Sequence, residues 1–123
     1  MMSAPAIQPA YRAEDEKRKY PRFRVNLEIE LNIDGQAAPL RTHTSDVGLG
    51  GCYVEMLFTL PVGSRLDLTL WLGREKWRTR AEVVTRDPQF GNGIRFLNLE
   101  DDKRVRLGQF LDTLPPQQVT DNF

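Results

Sequence analysis

The chain has 123 residues, 40% of them hydrophobic and 28% charged, which suits one folded domain and leaves little room for a second. Seventeen Lys and Arg balance seventeen Asp and Glu, which argues against a protein held on nucleic acid or a membrane surface by bulk positive charge. Cys52 is the only cysteine, which excludes an internal disulfide and a cysteine-based zinc cage and fits a reducing, cytoplasmic setting.

Residues 1–16 carry Pro5, Pro9, several alanines and the acidic cluster Glu14-Asp15-Glu16. No apolar period runs through them, and they are expected to form a flexible leader. Met1 to Ala10 lacks the basic and apolar regions of a signal peptide. The folded domain is expected over 17–114, and a flexible tail over 115–123 begins at Pro115-Pro116. No apolar run reaches the roughly 18 residues of a membrane helix, so no membrane insertion is expected.

Phe23, Val25, Leu27, Ile29, Leu31 and Ile33 alternate with polar residues, the pattern of one long half-buried β-strand. Asp34-Gly35 supplies a turn, and Leu40 to Val47 reads as a second, more polar strand. Gly48, Gly50 and Gly51 break it before a short strand from Cys52 to Met56. After a turn at Pro61 to Ser64, Leu66, Leu68, Leu70 and Leu72 alternate again. Lys76 to Arg86 reads as the hairpin partner of that strand. Gly91-Asn92-Gly93 leads into a last strand, Ile94 to Leu97. Six short strands with turns between them predict a closed antiparallel β-barrel, because closure removes exposed edges. Val105, Leu107, Phe110, Leu111 and Leu114 then follow helical spacing behind the acids Glu100, Asp101 and Asp102. They predict a C-terminal amphipathic helix of about four turns docked on the barrel, with Gly108 weakening it by about 1 kcal/mol.

Catalytic and metal chemistry find little support. His43 is the single histidine, on the second strand with no sequence hint of a partner. One His and one Cys without a clustered carboxylate set match no usual metal site. Cys52 reads as a core thiol, and Trp71 and Trp77 as packing residues. No GxxxxGK[ST] loop is present. The protein is expected not to be an enzyme.

Two segments stand out. Lys17-Arg18-Lys19-Tyr20-Pro21-Arg22-Phe23-Arg24 holds five positive charges and no negative one. Pro21 keeps it from an ordinary helix interior, so its arginines lie on an extended arm entering the first strand. Such an arm is either a solvated basic face or a phosphate-binding one, since guanidinium forks bind phosphate bidentately and stack on purines. The second segment is Ser45-Asp46-Val47-Gly48-Leu49-Gly50-Gly51. It is either a plain glycine turn or an anion-binding concavity, with Asp46 able to accept the paired N–H donors of a guanine edge.

Together these segments resemble the PilZ domain family, bacterial receptor modules for cyclic di-GMP. Arg18 and Arg22 match its RxxxR motif before the first barrel strand. Asp46 and Gly51 match the outer positions of its (D/N)xSxxG motif. The resemblance runs through the GxGIxF-like stretch Gly91–Phe96 and the closing helix, over about residues 16–114. It implies a six-stranded barrel and a non-catalytic cyclic di-GMP receptor whose N-terminal arm folds over the ligand and signals to a protein partner. By carry-over, Arg18 and Arg22 would bind phosphate and stack on guanine, Asp46 would hold a guanine edge, and Gly51 would permit the close turn. Lys17, just before the first arginine, is the family position linked to ligand stoichiometry. Gly48 stands where the motif has serine, removing one hydroxyl contact worth about 0.5–1.5 kcal/mol, which its main-chain N–H or a water would have to replace. The alternative is a degenerate PilZ-like module that binds protein and no nucleotide. A single-stranded nucleic-acid binder ranks third, since Tyr20 and Phe23 are few aromatics for a stacking surface.

Overall fold

The computed structural model describes residues 21–115 and 119–120. Strands β1 (Arg22–Arg24), β2 (Glu28–Ile33), β3 (Leu40–Val47), β4 (Gly51–Glu55), β5 (Arg65–Leu72), β6 (Glu75–Asp87) and β7 (Gly91–Leu97) precede helix α1 (Asp101–Leu111) and a two-residue strand β8 (Val119–Thr120). The sheet order is β2-β5-β6-β7-β4-β3, and β2 pairs with β3 to close a six-stranded antiparallel barrel. β1 and β8 extend the sheet from β3. β8 lies within the stretch expected to fray and pairs antiparallel with β1.

Alternation along the strands fills the barrel. Ile29, Leu31, Val47, Val54, Leu66, Leu68, Leu70, Val83 and Ile94 are buried inside it, and burying each such side chain contributes about 1.5–3 kcal/mol. Trp77 and Phe96 meet edge to face with ring centroids 5.0 Å apart. Trp77 Nε1 also donates to the Lys103 carbonyl at 2.9 Å, fixing the first turns of α1 to β6. Trp77 is thus a packing residue. Trp71 is half-buried on the outer surface, where the Arg41 guanidinium lies 4.7 Å from its ring centroid.

The single strand expected over Phe23–Ile33 is two strands. β1 pairs with the end of β3 and β2 with its beginning, and the register against β3 slips by one residue between Arg24 and Glu28. The Thr44 hydroxyl holds the bulge, donating to the Val25 carbonyl at 2.7 Å and accepting from the Leu27 N–H at 2.9 Å. Alternation alone does not register a bulge, because Phe23 and Val25 still pack against the core. The glycines before Ile94 are themselves part of β7, and buried Asn92 between them uses its amide to bond both backbone groups of Leu60.

α1 has eleven residues, about one turn fewer than expected. Leu107 and Leu111 carry its buried face, while Val105 is exposed, lying two residues and so about 200° from Leu107 around the helix. A Cβ at Gly108 would sit 3.7 Å from Leu49 Cδ2, an ordinary contact. Gly108→Ala should therefore stabilise the fold by up to about 1 kcal/mol. Thermal melting would rise by several degrees; a lower melting temperature would mean that Leu49 has no room to give. Among the described residues, no helix is long and apolar enough to cross a membrane.

Candidate functional site

The site is built from the root of the basic arm and the glycine turn between β3 and β4. The Gly48 N–H donates to the Gly51 carbonyl at 2.8 Å, closing that turn. It is therefore committed to the backbone of the turn. A Cβ at Gly48 would lie 2.8 Å from the Pro21 carbonyl oxygen and 3.7 Å from Arg22 Cγ. Glycine at this position is what lets the chain entering β1 lie against the turn. A Cβ at Gly51 would lie 2.1 Å from the Ile94 carbonyl oxygen, so this glycine is required by the β4–β7 contact.

Pairing of β1 with β3 brings the two motifs together. Arg22 Nη1 donates to Asp46 Oδ1 at 2.7 Å, with the side chains 20% and 27% exposed. Partial burial leaves both groups within reach of a ligand and screens their attraction less than at a fully exposed site. Arg22, Asp46, Gly48 and Gly51 thus converge on one end of β3. Lys17 and Arg18 lie outside the described residues.

The register adds residues that the motifs do not mention. Arg24 lies opposite Asp46, Asp46 opposite Tyr53, Tyr53 opposite Gly93, and Gly93 opposite Thr85. This row crosses five strands of the sheet. Arg24 was legible in principle, since strand alternation puts it on the same face as Arg22. Tyr53 was not, because only the β3–β4 register sets it beside Asp46. Its hydroxyl donates to Asp87 Oδ2 at 2.6 Å. Burial, helped by that hydrogen bond, pushes its phenol up to about 12, so the ring stays neutral across the physiological range. Beside the row, an open groove of about 550 Å³ is lined by Asn26, Thr42, His43, Thr44, Ser45 and Glu55.

The other singled-out groups are separate from this chemistry. Cys52 is fully buried, and desolvation pushes its thiol up to about 12, which leaves it protonated and unreactive. His43 is exposed on β3 opposite Glu28. Among the described residues, no three His, Cys, Asp or Glu side chains cluster as metal ligands.

The arginine–carboxylate pair and the glycine turn thus lie together on the outside of a closed six-stranded barrel. The PilZ domain family model matches residues 16–113, and the chain belongs to that family. A search of curated proteins found no match. Solved structures share the fold at low identity. The PilZ domain of CeSA from a cellulose-synthesizing bacterium is 18% identical with a TM-score of 0.61, covering 74% of this chain and 97% of that one. The YcgR PilZ domain of Escherichia coli, solved with c-di-GMP, is 18% identical with a TM-score of 0.66, covering 80% and 91%. The Bacillus subtilis motility inhibitor MotI is 19% identical with a TM-score of 0.65, covering 79% of this chain but 50% of its own length.

Proposed function

We propose that this chain is a non-catalytic cyclic di-GMP receptor of the cytoplasm that passes its ligand state to a protein partner. The observation that carries this reading is the Arg22–Asp46 pair. Two residues separated by 24 positions, one from each motif, meet at 2.7 Å on the barrel surface. Family membership supports it, as does the c-di-GMP held by the YcgR domain. In this reading Arg22 and Arg18 engage phosphate and stack on guanine, and Asp46 turns to accept the paired donors of a guanine edge. Lys17, preceding the arginines, bears on whether one ligand or a stacked pair is held. Ligand capture orders residues 12–24 against the barrel and presents a new surface. Ordering costs about 1–2 kcal/mol of entropy per residue, which the charged contacts must exceed. The expected result is slower amide hydrogen exchange over residues 12–24 when cyclic di-GMP is added. Unchanged exchange with ligand bound would contradict arm ordering while leaving the receptor reading in place.

One observation favours a second reading, a PilZ barrel that has given up the nucleotide for protein contacts. The Pro21 carbonyl occupies the room of the motif's serine side chain, and Gly48 spends its N–H within the turn.

A further inference from the structure

We propose that Tyr53 is a recognition residue of the Asp46 site, its ring forming the flat wall on which the purine base held at Asp46 stacks. The inference rests on the nucleotide-receptor reading above and goes beyond its two motifs.

Asp46 and Tyr53 are directly opposed on β3 and β4, and such cross-strand neighbours have Cβ atoms about 5 Å apart. A purine gripped along one edge by Asp46 is wider than that spacing, so it overhangs β4 and the side chain at position 53. On this outer row the next residue outward is Gly93, over which the Thr85 hydroxyl sits, accepting from the Gly93 N–H at 2.9 Å.

The ring is also fixed at both ends. Its backbone is in β4, and its hydroxyl is tied to Asp87, a residue of β6 on the far side of β7. Between them the ring passes over β7. A Cβ at Gly91 would lie 2.7 Å from Tyr53 Cε2 and 3.0 Å from Cζ, so glycine at 91 is what allows the ring to lie down on the strand. Tyr53 is only half-buried, which leaves part of the ring open to solvent. A neutral aromatic surface held this way loses little further freedom when a base stacks on it, and preorganisation of that kind favours binding.

The competing role is purely structural, a staple joining β4 to β6 across β7. Two substitutions separate the roles, because Tyr53→Phe and Tyr53→Leu lose the same bond to Asp87 but only the first keeps the ring. Calorimetric titration with cyclic di-GMP and thermal melting are measured for both variants and for the unsubstituted protein. Tyr53→Leu should bind about tenfold or more weakly, while Tyr53→Phe stays within about threefold, as expected for loss of one stacked base. Both should melt at similarly lowered temperatures, so affinity follows the ring and stability follows the hydroxyl. Tyr53→Leu binding within about twofold of the unsubstituted protein, or both variants losing affinity alike, would overturn the proposal. A failure of the unsubstituted protein to bind would remove the receptor reading itself, and the proposal with it.

Discussion

An alanine at position 51 is expected to destabilise the fold by several kcal/mol, although it adds a single methyl group. Its Cβ would lie 2.1 Å from the Ile94 carbonyl oxygen, 3.1 Å from the Ile94 carbonyl carbon and 3.2 Å from Arg95 Cα. All three atoms are backbone, and none can swing aside as a side chain would. Relief requires β4 and β7 to separate where Gly51 faces Arg95 and Cys52 faces Ile94. That junction lies beside buried Val47 and Ile94, so opening it lets water reach core packing. Overpacking typically costs about 1–3 kcal/mol and more where the backbone must shift. A domain of this size has only about 5–15 kcal/mol in total. Gly51→Ala should therefore melt at least about ten degrees below the unsubstituted protein, given roughly 4–8 °C per kcal/mol for a domain near 100 residues. Circular dichroism melting checks this. An unchanged melting temperature would mean that β4 and β7 approach less closely than described, and would return Gly51 to a role confined to the turn.

Arg22→Ala should act in the opposite manner, removing ligand affinity while leaving the fold nearly intact. Its bond to Asp46 is short, yet both side chains retain access to solvent. Ion pairs of that exposure contribute about 0–1 kcal/mol, and water can solvate Asp46 once its partner is gone. Melting should therefore move by a few degrees at most. Binding is different, because a guanidinium fork makes two charge-assisted bonds to one phosphate. Affinity for cyclic di-GMP should fall by well over about tenfold, or more than 1.4 kcal/mol. Arg22→Lys should recover part of it, since a lysine keeps the charge and loses the fork. A large drop in melting temperature with Arg22→Ala would instead make this arginine a structural brace between β1 and β3.

The barrel was legible because its strands each carry one apolar face. The alternation from Leu27 to Ile33 and from Leu66 to Leu72 corresponds directly to buried positions. What alternation does not encode is a one-residue slip, so the bulge held by Thr44 was hidden and β1 and β2 read as one strand. The apolar face of the helix was overestimated for a related reason. Val105 is as apolar as a buried residue, but its angle from Leu107 turns it to water.

The candidate site was legible as two separate motifs. Their meeting at Arg22 and Asp46 depends on the β1–β3 register, a long-range pairing that short spacing patterns do not contain. Gly48 shows the limit most directly. In the sequence it is a missing hydroxyl; in the fold it is the space that admits the Pro21 carbonyl. Tyr53 is ordinary in the sequence and becomes a neighbour of Asp46 only when β3 and β4 are paired.

Calorimetric titration of the unsubstituted protein with cyclic di-GMP shows most plainly whether this barrel binds that nucleotide through the surface where Arg22 meets Asp46. The expected result is saturable heat, with a fitted stoichiometry of one ligand or a stacked pair. A flat trace at submillimolar nucleotide, from protein that melts cooperatively, would contradict it and leave a PilZ barrel whose partners are proteins.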